Sequence, residues 1–114
     1  MKEHEVLRAT EEYSADCKAK HTTPHVNELA ARLDMPVSKL SNYFLGVVGV
    51  RPSVYLKRKH VRDAIYLIKT TALDYTTVAR ITGYGSRTTL FRSIRRVTGR
   101  TPESFRRRKL RRKK

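Results

Sequence analysis

The sequence predicts an all-α chain of about seven helices, arranged as two tandem helix-turn-helix subdomains joined by a long connecting helix. Three observations carry that expectation. Apolar residues recur at helical spacing, and strand-like alternation is absent. The Gly and Pro residues fall between the periodic stretches, where helix ends belong. The last two-thirds of the chain also overlays on itself when shifted by 50 residues.

The elements follow in order. Residues 3–19 make a first helix with a thin apolar stripe of Val6, Tyr13 and Cys17, and Glu3 and Glu5 suit its N-terminus. Residues 20–25 are a loop. A short helix over 26–33 places Val26, Leu29, Ala30 and Leu33 on one face. Asp34-Met35-Pro36 is a tight turn, and a helix over 37–48 turns Leu40, Phe44 and Val47 inward. Gly49 ends it, because glycine adopts the left-handed conformation beyond a helix without a Cβ penalty. Pro52 opens the connecting helix in the first turn, where its missing N–H removes no hydrogen bond. That helix runs to about Lys69 with Val54, Tyr55, Val61, Ala64, Ile65 and Ile68 on a broad apolar face. Asp74 caps a short helix over 75–82, and Gly83-Tyr84-Gly85 turns the chain. Ser86 caps a helix reaching Val97, with Leu90, Ile94 and Val97 inward, and Gly99 ends it. Thr101-Pro102-Glu103 begins a last short helix. The expected organisation is an N-terminal subdomain over 1–51, the connecting helix over 52–70, a C-terminal subdomain over 71–107 and a basic tail over 108–114.

The repeat matches the residues that determine structure. Leu40 falls on Leu90, Phe44 on Ile94 and Val47 on Val97; Gly49 falls on Gly99, Pro52 on Pro102 and Tyr55 on Phe105. One residue out of step, Leu29-Ala30 falls on Val78-Ala79, and the small alanine lets two helices cross closely. Each copy thus reads as short helix, tight turn, longer helix. In that arrangement the second helix enters the major groove of DNA.

Charge points to the same partner. Residues 1–34 carry five basic and seven acidic residues, a balance of −2, whereas residues 35–114 carry 21 and three, a balance of +18. A polyanion is the natural partner of such a field. No stretch approaches the roughly 20 apolar residues of a membrane span, and the polar, acidic N-terminus has no signal-peptide core. A cytoplasmic protein is expected. The single cysteine, Cys17, excludes an intramolecular disulfide or a cysteine-cluster zinc site. His4, His21, His25 and His60 form no ligand or triad spacing, so no metal, no cofactor and no enzymatic activity are expected. With Leu90, Ile94 and Val97 inward, Arg87, Thr88, Phe91, Arg92 and Arg95 face outward.

From about Val26 to Arg107 the chain resembles the DNA-binding domain of the AraC/XylS family of bacterial transcription regulators. The string that carries the resemblance is Val78-Ala79, Ile81-Thr82-Gly83-Tyr84-Gly85-Ser86, Leu90, Arg92, Ile94-Arg95-Arg96, Gly99, Thr101-Pro102 and Phe105-Arg106. The first unit departs more: Pro36 stands where a Ser usually opens the reading helix, Asn42 where an Arg is usual, Gly46 lies inside the helix, and His60 replaces a common Arg. The resemblance implies promoter binding, with RNA polymerase as a protein partner. It places base contacts at Arg87, Thr88, Phe91 and Arg92, and by the 50-residue shift at Val37, Ser38, Ser41 and Asn42. Phosphate contacts are expected from Lys39, Lys57, Arg58, Ser86, Arg95, Arg96 and Arg100. The reading is a monomeric, sequence-specific binder of double-stranded DNA, without a small-molecule effector site in this chain. The alternative is a nonspecific architectural or RNA-associated nucleic-acid-binding protein.

Overall fold

A computed structural model describes residues 3–111, with side chains from His4 to Arg106. The basic tail expected over 108–114 falls at that edge, its side chains and its last three residues lying outside the described residues. Among the described residues seven helices follow one another: α1 (Glu3–Lys20), α2 (Val26–Arg32), α3 (Val37–Val47), α4 (Pro52–Thr70), α5 (Tyr75–Ile81), α6 (Arg87–Thr98) and α7 (Pro102–Arg111). No strand occurs among the described residues.

The helix boundaries have local causes. Asp74 accepts the Thr77 amide at 2.8 Å and Ser86 accepts the Thr89 amide at 3.2 Å, so α5 and α6 begin on side-chain caps. By contrast, α3 begins behind Pro36 with no side-chain cap. Gly49 (φ 89°) and Gly99 (φ 74°) close α3 and α6 in the left-handed region.

Two cores form, one for each repeat. The first joins Val6, Tyr13 and Cys17 of α1 to Leu29, Ala30, Leu33, Leu40, Phe44 and Leu56. The second joins Val61, Ala64, Ile68, Val78, Ala79, Leu90, Ile94 and Phe105. The helix α4 contributes Leu56 to one and Val61, Ala64 and Ile68 to the other, so it is a shared wall as well as a spacer. Its 19 residues rise about 28 Å. Acidic residues fasten the N-terminal helix. Asp16 pairs with Arg32 at 2.7 Å, and Glu11 with Lys59 at 2.8 Å. Tyr13 donates to Glu28 at 2.5 Å, and Tyr55 donates to Glu11. Burial and the bond to Glu11 push the Tyr55 phenol up to about 12.

Two expected core positions are not core. Val47 and Val97, matched across the repeat and expected to face inward, are 40% and 38% exposed. Their angular position is right. However, each lies near the C-terminal end of its helix, beyond Phe44 and Ile94, the last fully buried residues of α3 and α6.

Candidate nucleic-acid interface

In each unit the short helix packs across the longer one, burying Leu40 and Phe44 of α3 and Leu90 and Ile94 of α6. The opposite faces are open. On α3, Val37, Ser38, Lys39 and Asn42 are exposed and Ser41 is half-buried. On α6, Arg87, Thr88, Arg92, Arg95 and Arg96 are exposed. Among the described residues, Lys57, Arg58, Arg92, Arg95 and Arg96 have no carboxylate within ion-pairing distance, so their charge is available to a ligand.

Phe91, expected to face outward, is instead half-buried. Its ring meets Tyr75 edge-on, with centroids 5.1 Å apart. The Arg87 guanidinium lies over both rings, 5.4 Å from Phe91 and 5.9 Å from Tyr75. Tyr75 opens α5 beside this stretch of α6, and its ring supplies the cover that periodicity could not foresee. The contact also restricts the Arg87 side chain, which lowers the entropy it would lose on engaging any ligand. Arg100 is likewise engaged: it lies 4.2 Å above the Phe105 ring and donates to Ser104 Oγ at 3.2 Å. Ser86 is exposed, but its hydroxyl accepts from the Thr89 amide in the cap and donates to Thr89 Oγ1 at 3.1 Å. The Asp74 carboxyl, opposite Arg87, is held below the ordinary value by hydrogen bonds from Thr77, with the charges of Arg80 and Arg87 adding to the effect.

One group of residues escaped the sequence reading. His60, buried on α4, hydrogen-bonds the Thr82 carbonyl and stacks on Tyr84, with ring centroids 3.9 Å apart and planes 13° from parallel. Burial holds its pKa below the ordinary histidine value, against the opposing pull of the Thr82 carbonyl and Asp63. The available signal was that His60 replaces an expected Arg at that position. No group of three or more His, Cys, Asp or Glu among the described residues could hold a metal ion, and no helix among them is long and apolar enough to cross a membrane. The molecule measures 52 × 25 × 21 Å, long enough to carry two reading helices one DNA turn, about 34 Å, apart.

Comparison with known proteins adds four findings. A family model described as a helix-turn-helix domain matches residues 29–108. The HTH-type transcriptional regulator AlkR of Acinetobacter baylyi is 31% identical over 81 residues, which are 71% of this chain and 26% of AlkR. The chain therefore spans about a quarter of that relative's length. Among solved structures, the DNA-binding domain of AdpA, a global transcriptional factor crystallised with a target DNA, superposes with a TM-score of 0.74. Its identity is 27%, and the match covers 90% of this chain and 94% of that one. The C-terminal domain of AraT, a response regulator from Geobacillus stearothermophilus, gives a TM-score of 0.78 at 19% identity, covering 90% of this chain and 84% of that one, a likeness of fold.

Proposed function

The chain belongs to the helix-turn-helix domain family of the AraC/XylS type, and from that premise we propose that it binds double-stranded DNA sequence-specifically in transcription regulation. The observation that carries the reading is the pair of open helix faces, one per repeat, on a body with room for two successive major grooves. The two faces have different chemistry. Arg87 and Arg92 on α6 suit bidentate contact with guanine, Thr88 suits a thymine methyl, and Asn42 on α3 suits adenine. Phe91 acts through Arg87 and the edge of its ring. Val37, Ser38 and Ser41 complete the α3 face. Phosphate contacts come from Lys39, Lys57, Arg58, Ser86, Arg95, Arg96 and Arg100, and they set register more than sequence. The chain acts as a monomer in the cytoplasm on a non-palindromic site, RNA polymerase is its protein partner, and no catalysis is involved.

Selection of bound duplexes from a random DNA pool tests the reading. An enriched, asymmetric motif with two separated blocks is expected. Equal affinity for selected and random duplexes at physiological salt would overturn it in favour of nonspecific binding.

A further inference from the structure

The C-terminal end of α5 leaves carbonyls that no residue of its own helix can satisfy, as at any helix end. Here the last carbonyl of α5 and the next two, in the turn that follows, are met from outside the second unit. The Ile81 carbonyl accepts from His21 Nδ1 at 2.5 Å, the Thr82 carbonyl accepts from His60 Nε2, and the Gly83 carbonyl accepts from Thr23 Oγ1 at 2.7 Å. His21 and Thr23 belong to the α1–α2 loop of the first unit, and His60 to α4. The His60 ring then lies flat against Tyr84, the next residue of the turn that launches α6.

These contacts do what side-chain packing does not do here. A cavity of about 90 Å³ opens beside them, lined by Cys17, Pro24, His60, Leu67 and Thr82 among others. The seam between the units is therefore incompletely filled, and its alignment depends on the hydrogen bonds and on one close backbone approach. A Cβ placed on Gly83 would lie 2.4 Å from the Thr22 carbonyl carbon.

We propose that this seam, with His60 as its central positioning residue, fixes the orientation of α6 relative to α3 and so sets the spacing between the two half-sites that the protein accepts on DNA. The proposal rests on the DNA-binding reading above. Inserting one base pair moves a half-site by about 3.4 Å and rotates it by about 34°, which a locked pair of reading helices cannot follow.

Two arms test it. The first needs no DNA: spin labels on Leu45→Cys and Val97→Cys, in a Cys17→Ala background, report the distance distribution between α3 and α6. A narrow distribution is expected for the parent, a broad one for Thr23→Ala/His60→Ala, and a narrow one again for His60→Gln, whose amide can still donate to the Thr82 carbonyl. Circular dichroism confirms that each variant keeps its helices. The second arm uses a duplex selected from a random pool by the parent protein, with one base pair inserted or removed between its halves. The parent should lose affinity by about tenfold or more, and Thr23→Ala/His60→Ala by about twofold or less because its reading helices can readjust. Unchanged distance distributions in a folded double variant, or an unchanged spacing preference, overturn the proposal. A pool that yields no selected duplex overturns the DNA-binding reading instead and leaves the distance arm to decide the seam.

Discussion

Replacing Gly83 with alanine tests the close approach between the two units directly. Gly83 sits at φ 88°, and the added Cβ would meet three backbone atoms of Thr22 at 2.4, 2.7 and 2.8 Å. Left-handed backbone alone costs an L-residue about 1–2 kcal/mol. The clash adds to this, because a backbone cannot rotate out of the way as a side-chain tip can. The 21–25 loop must retreat, which sacrifices the bonds from Thr23 to Gly83 and from His21 to Ile81, each worth about 0.5–1.5 kcal/mol net. The expected cost of Gly83→Ala is thus about 2–5 kcal/mol. At about 4–8 °C per kcal/mol for a domain of this size, the melting temperature falls by about 8 °C or more. Gly85→Ala is the internal control. It has φ 86° and open space around the added Cβ, so only the conformational cost of about 1–2 kcal/mol applies. Urea denaturation followed by circular dichroism gives both numbers under one set of conditions. If the two variants lose equal stability to within about 0.5 kcal/mol, the Thr22–Gly83 contact does not exist in solution and the seam argument fails with it.

Further outcomes follow from the same geometry. Arg92→Ala should weaken binding to a selected duplex by about 1–3 kcal/mol and Asn42→Ala by less, because a bidentate guanidinium contact carries charge that an amide lacks; fluorescence anisotropy measures both, and the reverse order contradicts guanine contact by Arg92. Gly46→Ala should stabilise the protein by about 0.5–1 kcal/mol, since Gly46 is helical and an added Cβ meets nothing within 4 Å; a lower melting temperature would show a non-helical backbone there. Acidification should cost stability through His60. Burial lowers its folded pKa below the ordinary 6.5, with His25 acting in the same direction and Asp63 and the Thr82 carbonyl opposing. The unfolded chain therefore binds more protons as pH falls below about 6.5, and the contribution present above that value is lost through the folded pKa. His60→Gln should flatten the stability profile between about pH 7 and pH 5; a variant as acid-sensitive as the parent would assign the loss to other groups.

What the sequence disclosed and what it hid divide along a physical line. Helix ends are local chemistry, so Asp74, Ser86, Gly49, Gly99 and Pro52 mark boundaries that agree with the structure to within a residue or two. Core positions are periodic, so Leu40 with Leu90 and Phe44 with Ile94 are legible in pairs and are fully or almost fully buried. The same periodicity misplaced Val47 and Val97 together. A repeat reports which face a residue shares, not whether anything packs on that face near the end of the helix. Phe91 shows the converse, since the Tyr75 ring that shelters it lies on another helix. The seam was the least legible feature. Its hydrogen bonds join residues 60 and 22 positions apart, and nothing in spacing or composition brings them together.

The two turns that launch the reading helices show why the second needs glycine and the first does not. With Leu29-Ala30 set against Val78-Ala79, Asp34 falls on Gly83, and both adopt positive φ, 55° and 88°. Aspartate is among the few L-residues that tolerate the left-handed region. The turn itself therefore does not demand glycine, as Asp34 demonstrates in the first unit. What differs is the surroundings: Asp34 is exposed, whereas Gly83 lies against the Thr22 backbone. The glycine in the second turn is thus a requirement of docking between units, imposed on top of a turn that an aspartate could have made. Docking between units also accounts for the extra residue in the second turn, where Tyr84 and Gly85 stand against Met35 alone. The added length lets Tyr84 reach the His60 ring while Ser86 still arrives in position to cap α6. The asymmetry between the units therefore extends beyond the side chains of their open helix faces: the second unit is also shaped to receive the first.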